Sequence, residues 1–545
     1  MRLADRPYRI GRGLLAATLL VGLGLRLWQY LTGSALWLDE LALVNGLISG
    51  PFTSLFDGPT DFAQLAPPGF LLVEWVAYRI GGPSELALRA WSLVMGCAAL
   101  ASIALAAREM VGIRHAWIAT GLIALSTPLV FQSAQVKPYS SDTFFSATII
   151  WLAARSLRDP SLALSRALIV VGLLAPWFAL GTVFVLAGAG VVLVNRFWRV
   201  QSASERRTTM LVGAAWFASA LTAVLLTRRL LDPIVMSWMR EFWTGLFPVI
   251  PPRSVSDLLW PVNAVTDSLW TFLGLRGVRV FAVLLVLGAV AVWQRRPRDV
   301  WILVIPVMAG IGAAILRQYP FGERVSHWMA PIYALLLAAP VAWVASRVRR
   351  QTLAGLVGGA LVLVTPARTL ARDPPPYVRD EIRPVIARLN TEARPGDLLY
   401  IHWNAWHSWQ FYGHLVTPSV RIITGACQAD YVRGYLRELD ALRGAENAWV
   451  LVMRPQTPQT HEVMREYLAT IGTLRDSLHS GGERTLPLHV VHLYRYDLSD
   501  STRLASTDAE RFPSAIAAPP PTRRCAWLTN MHRRGDSTFV VPTVD

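Results

Sequence analysis

Apolar runs recur from Gly13 to about residue 370, and the loops between them carry arginine in alternation. The first run, Gly13 to Leu31, is about 19 residues, close to the ~20 that a helix needs to cross a bilayer core. Arg2, Arg6, Arg9 and Arg12 precede it, and cytoplasmic flanks collect basic residues, so this helix is predicted to run outward from an N-terminus inside. Further apolar segments fall at approximately 86–107, 115–133, 139–157, 163–176, 179–195, 209–228, 278–294, 300–316, 327–345 and 352–370. The loops this order places inside hold Arg108 and Arg114, Arg155 and Arg158, Arg206 and Arg207, Arg295 and Arg296, and Arg347 and Arg349, while the short external turns hold few bases. The alternation predicts about 11 spans with the C-terminus outside. Residues 163–195 are read as two spans divided at Pro176-Trp177-Phe178, because one unbroken helix would be about 30 residues and would reverse the arginine pattern. A shorter piece, 67–79, carries Glu74 and Arg79 and is predicted to lie in the interface, with a tilted or re-entrant span as the disfavoured alternative.

A chain that is 53% hydrophobic and 16% charged is too apolar for one soluble domain. The net charge of +16 sits largely in the short inner loops, so it calls for no nucleic acid, and no nucleic-acid-binding module is found. No small-residue cleavage site stands out near the N-terminus, so a signal peptide is not expected. Cys97, Cys427 and Cys525 make neither a disulfide framework nor a metal knuckle; whether Cys427 and Cys525 pair is open. No internal repeat is evident, which argues against an inverted-repeat transporter of lipids or sugar-lipids.

Two adjacent acids, Asp39 and Glu40 in Trp37-Leu38-Asp39-Glu40, follow the first span and are predicted on the external side. Carboxylates at a membrane boundary are costly to desolvate and mark functional candidates; the plain alternative is that they cap a helix. Neighbouring residues on a helix point in different directions, so one of the two is expected to face a pocket. Lys137 is the only lysine beside 51 arginines, since Lys and Arg together number 52, and it lies in the external turn Gln135-Val136-Lys137-Pro138-Tyr139. A compact ammonium there suits a phosphate, with snorkelling toward lipid as the alternative. Tyr139 and Asp142 line the same turn as substrate-binding candidates. Arg324 and His327, three apart in a third external loop, would share a helix face, Arg324 as a second phosphate clamp and His327 as a substrate contact. Arg89, near the outer end of the second span, is a further phosphate-binding candidate. The tryptophans Trp238, Trp243, Trp260 and Trp270 read as interfacial anchors. Any metal would be a hard divalent ion such as Mg or Mn held by Asp39 and Glu40, because no His/Cys cluster appears.

From Pro374 the composition turns polar, and the chain divides into a membrane part (1–372), an α/β domain (373–498) and a Pro-rich tail (499–545). Helices are expected at 378–391, 405–413, 430–443 and 460–478, with strands at 398–401, 420–424, 448–452 and 488–496. No Gly-rich phosphate loop is present in this part. The fold class is thus a polytopic α-helical membrane protein with a C-terminal extracytoplasmic α/β domain.

Several motifs, in order, resemble those of GT-C glycosyltransferases, specifically family 39-like bacterial members related to the lipid A aminoarabinose transferases and protein O-mannosyltransferases. Trp37-Leu38-Asp39-Glu40 resembles the acidic motif of their first external loop, Ala66-Pro67-Pro68-Gly69-Phe70-Leu71-Leu72 their Pro-Pro-aromatic-Leu segment, and Ala87-Leu88-Arg89 the Ala-x-Arg that follows. Gln135-Val136-Lys137-Pro138-Tyr139 is similar to a Gln-Glu-Ala-Arg-Pro-Tyr-like motif, and Tyr319-Pro320-Phe321-Gly322-Glu323-Arg324 to a late-loop Tyr-Pro-Phe-x-x-Arg. Pro395-Gly396-Asp397-Leu398-Leu399-Tyr400 resembles the start of the external α/β domain that many members carry. Lysine replaces the family's arginine before Pro138, the acid upstream of it is absent, and Ala66 stands where a histidine is common. The resemblance implies a transferase of the bacterial cytoplasmic (inner) membrane that uses a polyprenyl-phosphate-linked sugar. Asp39 would be the base beside Glu40, and the acceptor, whether glycan, lipid or protein, stays open. The alternatives are a sugar-lipid or lipid transporter and a non-catalytic glycan-binding membrane scaffold.

Overall fold

The computed structural model of the chain describes residues 6–48, 51–53, 66–198, 202–229, 242–275, 278–426, 432–455, 458–481 and 489–500, with isolated positions 239, 503, 509 and 512. Cys427, Cys525, Trp238 and nearly all of the tail lie outside the described residues. The chain divides into two units. One comprises Met1–Gly33, Leu65–Leu230 and Arg240–Pro376; the other comprises Ser34–Gln64, Leu231–Met239 and Tyr377–Asp545.

The first unit is helical. Five of its described helices are long and apolar enough to cross a membrane: Pro7–Leu31, Glu85–Met110, Ala203–Arg229, Glu323–Ala345 and Gln351–Arg372. Each remaining apolar segment of the sequence also holds helix, in Ala116–Leu125, Tyr139–Ser156, Leu162–Phe178, Thr182–Trp198, Val278–Arg295 and Asp299–Ile315. Three details differ from expectation. The 115–133 segment breaks at Ser126, whose Oγ accepts from Leu129 N–H at 3.2 Å and donates to Phe272 O at 2.6 Å, starting a separate helix with Pro128 in its first turn. The division of 163–195 falls at Ala179–Gly181 and not at Pro176, which stays inside the last turn of its helix. Residues 323–329 form a tight 3-10 turn with Ser326 off helical geometry, so Arg324 and His327 do not lie on one regular helix face.

Packing brings helices together where side chains are small. A Cβ on Gly288 would sit 2.0 Å from Leu336 O, so the Val278–Arg295 and Ala330–Ala345 helices approach at backbone distance. Arg26, the charge inside the first span, is 1% exposed and donates to Gly22 O at 3.0 Å and Ile123 O at 3.1 Å. Glu109 accepts from Arg155 at 3.3 Å and from Arg158; Arg158 also reaches Asp299 at 3.2 Å, and Arg296 pairs with Asp299 at 3.6 Å. This network ties one end of Glu85–Met110, Tyr139–Ser156 and Asp299–Ile315 together. Arg89, Tyr139 and Tyr319 belong to the opposite ends of the same helices, about 27 Å away along an 18-residue helix at ~1.5 Å per residue.

The second unit contains a five-stranded sheet: β1 (Leu398–Ile401), β2 (Arg421–Thr424), β3 (Ala448–Met453), β4 (Thr473–Ser480) and β5 (Val491–Asp497), in the order β2-β1-β3-β5-β4. β1 is parallel to β2 and β3; β5 is antiparallel to β3 and β4. β3 is buried along its whole length, as expected of a continuous apolar run at the centre of a sheet. Helices Val432–Asp440 and Pro458–Ile471 cover one face through Tyr435, Leu436, Leu439, Met464 and Leu468. The helix expected over 460–478 is a correction: it ends at Ile471, and Thr473–Ser480 is edge strand β4. Gly472 makes the break, because a Cβ there would lie 2.2 Å from Leu498 Cδ2.

Candidate active site

The turn before Tyr139–Ser156 is held from two sides. Lys137 N–H donates to Gln135 O at 2.7 Å, Lys137 O accepts from Ser92 Oγ at 3.1 Å, and Ser140 Oγ donates to Gln132 O at 3.1 Å. Lys137 is 5% exposed, and Arg89, 2% exposed, lies one turn before Ser92 on Glu85–Met110. The late loop closes over this turn. The Tyr139 and His327 rings stack with centroids 5.4 Å apart and 26° between planes, and Phe272 lies 5.3 Å from His327 on its own side. His327 Nδ1–H donates to Arg324 O at 2.6 Å, which leaves Nε2 as the acceptor nitrogen. The Arg324 guanidinium lies 5.6 Å from the Trp243 ring centroid. Gly322, at φ +124°, turns the loop, and its N–H donates to Ser326 Oγ at 3.0 Å.

Asp142 lies one turn into the helix and is 5% exposed. Its carboxylate accepts from Gly181 N–H, in the break between two helices. A Cβ on Gly181 would fall 2.1 Å from Trp328 Cδ1, so only glycine lets this backbone pass beside the fully buried Trp328. Asp142 Oδ1 and His327 Nε2 are buried and have no hydrogen-bond partner among the described residues. Buried polar atoms are almost always paired, so two orphaned acceptors beside one ring stack are suited to a polar ligand. Of the predicted residues, Tyr139 and His327 are thus in contact in the first unit; Lys137 and Asp142 flank Tyr139 in the chain, the Arg324 carbonyl accepts from His327, and Arg89 lies in the helix that supports the Lys137 turn.

Asp39 and Glu40 belong to the second unit. They open the helix Leu38–Ile48, where Trp37 is the N-cap and Glu40 the third helical residue. Glu40 Oε2 accepts from Trp37 N–H at 3.2 Å, the reach-back half of a capping box, and Glu40 is 0% exposed. Its carboxylate thus has the capping job that the sequence offered as the alternative to chemistry. Asp39 is half-buried. The C-terminal part grips this segment: Ala35 N–H donates to Glu381 Oε2 at 2.9 Å, Leu36 N–H to Tyr412 Oη at 2.8 Å, Leu38 N–H to Asp380 Oδ2 at 3.2 Å, and Asn45 Nδ2 to His407 O at 3.1 Å. Sequence reasoning missed Asp380, which no motif announces. Burial lowers the pKa of the neighbouring His489 imidazole; its bond to Asp380 opposes the shift and Arg454 adds to it.

Among the described residues, no group of three or more His, Cys, Asp or Glu is arranged to hold a metal ion. Asp39 and Glu40, the expected ligands, are two adjacent carboxylates and do not by themselves make such a group.

No protein-family model matches the chain, and no curated protein matches it. Three solved structures are similar to this chain. The Archaeoglobus fulgidus oligosaccharyltransferase, solved with Zn and sulfate, is 12% identical, with a TM-score of 0.49 over 89% of this chain and 73% of its own. ArnT from Cupriavidus metallidurans bound to undecaprenyl phosphate is 15% identical, with a TM-score of 0.47 over 88% of this chain and 97% of its own. The arabinofuranosyltransferase AftD from Mycobacteria is 13% identical, with a TM-score of 0.36 over 89% of this chain and 41% of its own.

Proposed function

We propose that the chain is a membrane glycosyltransferase that moves a sugar from a polyprenyl-phosphate donor to an acceptor hydroxyl on the outer face of a bacterial cytoplasmic membrane, with inversion at the sugar carbon. The observation that carries the reading is the stack of Tyr139 on His327, which joins the two loops bearing Lys137 and Arg324 and leaves Asp142 Oδ1 and His327 Nε2 as buried acceptors. The ordered motifs support it from the sequence side. Asp39 takes the proton of the acceptor hydroxyl, whose oxygen forms the new bond to the sugar C1 as the C1–O bond to phosphate breaks. The phosphate leaves on its lipid with the bonding pair, and Lys137 and Arg324, with Arg89 in support, hold its charge. Asp142 and His327 accept from sugar hydroxyls, and Tyr139 offers its ring face. No step is routed through a metal ion.

The test uses the purified full chain in lipid nanodiscs with polyprenyl-phosphate sugars extracted from the source membrane, read by mass spectrometry. Asp39→Asn is expected to lower turnover by about 10²–10⁴-fold, the usual worth of a positioned base, while undecaprenyl phosphate still binds. Unchanged transfer in Asp39→Asn, or no transfer by the wild-type chain, refutes the reading.

A further inference from the structure

Asp380 is a carboxylate only 1% exposed, at a backbone φ of +50° that a non-glycine residue rarely holds. Its Oδ2 accepts from Arg454 Nε at 2.7 Å and from Leu38 N–H at 3.2 Å; its Oδ1 lies 3.1 Å from His489 Nδ1, and its own N–H donates to His489 O at 3.1 Å. Arg454 is strained in the same way, at φ +45°, and Asn404 Nδ2 donates to its carbonyl at 2.6 Å. Arg454 serves Trp37 as well as the carboxylate. The Arg454 guanidinium lies 5.0 Å and that of Arg379 4.6 Å from the Trp37 ring centroid, and the His489 ring meets the same indole edge-on at 5.9 Å. Two left-handed residues, a buried ion pair and an arginine-lined indole thus converge on the backbone N–H that precedes Asp39. Strain of this kind persists where the surroundings over-determine a conformation, as they do at sites that must be held in place.

We infer that Asp380, braced by Arg454 and His489, is a positioning residue that sets the direction of the Asp39 carboxylate by fixing Trp37 and the first helical turn. The inference rests on Asp39 as the base of the proposed transfer. Removing the acceptor at Leu38 N–H frees the first turn of Leu38–Ile48 to fray, and a base displaced by about 1 Å costs on the order of 10²-fold in rate. The effect falls on the proton-transfer step and not on donor binding, because the hydrogen bonds described for the Leu38 turn run to Asp380 and Arg454 and not to the residues assigned to the phosphate.

Two variants of the full-length protein test this. Asp380→Ala removes the acceptor; Asp380→Asn keeps an oxygen for Leu38 N–H, and is the variant that matters where Asp380→Ala does not fold. Hydrogen exchange is read at the amides of Leu38 to Leu41, and kcat and KM are measured with the extracted polyprenyl-phosphate sugars. Expected are faster exchange at those amides and a kcat loss of about 100-fold in Asp380→Ala with KM within threefold. In Asp380→Asn, both exchange and kcat are expected to lie nearer the wild type. Wild-type protection and kcat in a folded Asp380→Ala, a loss confined to KM, or in Asp380→Asn a kcat loss with exchange unchanged, overturns the inference. A wild-type chain that transfers no sugar sinks the proposed reaction instead, and the exchange measurement then still reports whether Asp380 holds the turn.

Discussion

Replacing Glu40 separates a helix cap from a chemical group. Its carboxylate is 0% exposed and accepts the Trp37 N–H at 3.2 Å. Glu40→Ala removes a hydrogen bond to a charged group, worth about 1.5–3 kcal/mol, and a negative charge at a helix N-terminus, worth about 0.3–1 kcal/mol. The expected loss is therefore about 2–4 kcal/mol. Glu40→Gln keeps an oxygen in the same place and is expected to lose about 1 kcal/mol. At roughly 2–4 °C per kcal/mol for a cooperative unit of 150–250 residues, thermal unfolding of the purified protein separates the two variants by several degrees. Turnover in Glu40→Gln is expected within tenfold of wild type, in contrast to Asp39→Asn. A Glu40→Gln protein that melts with the wild type yet transfers no sugar refutes the capping argument and makes Glu40 a participant in the reaction.

Gly181→Ala places a methyl 2.1 Å from Trp328 Cδ1 and is expected to cost about 1–3 kcal/mol by overpacking, with sugar transfer falling because Gly181 N–H no longer meets Asp142; unfolding and turnover measured on the same preparation check both. Burial lowers the pKa of His402 to about 3, that of His461 to about 4 and that of His492 to about 3 in the folded second unit, so below about pH 6.5 the unfolded chain binds protons that the native one refuses. Stability is therefore complete above that pH and falls as pH drops toward 4; melting curves from pH 7.5 to 4.5 should slope downward, and a flat profile contradicts the prediction.

Each apolar run read from the sequence holds helix, and five of these helices are long and apolar enough to cross a membrane, because the reading depends only on local composition. The network of Glu109, Arg158 and Asp299 groups helix ends from geometry as the arginine alternation does. Lys137 and Arg324 were legible as candidates because they lie in short polar breaks between apolar runs, and Tyr139, Asp142 and His327 because they are polar residues at the start of the runs that follow. Their mutual arrangement was not, since a ring stack between residues 139 and 327 leaves no periodic trace. β4 was misread because Thr473–Ser480 has no apolar alternation to separate a polar edge strand from a helix, although Gly472 was an available stop signal. Glu40 was ambiguous for a different reason: a cap and a catalytic acid look alike until the N–H that the carboxylate accepts is known. The unit to which Trp37-Leu38-Asp39-Glu40 belongs depends on partners such as Asp380 and Tyr412, more than 340 positions away.

That separation in sequence has a consequence for biogenesis. The Leu38 amide leaves the ribosome 342 residues before the carboxylate that receives it, a delay of roughly 17–70 s at translation rates of ~5–20 residues per second. Throughout that interval the Leu38 N–H is without the carboxylate that receives it in the folded chain. On the proposed reaction, the nascent chain enters the membrane before the Asp39 turn can be fixed, and C-terminal truncations that stop short of residue 380 should yield inserted but inert protein.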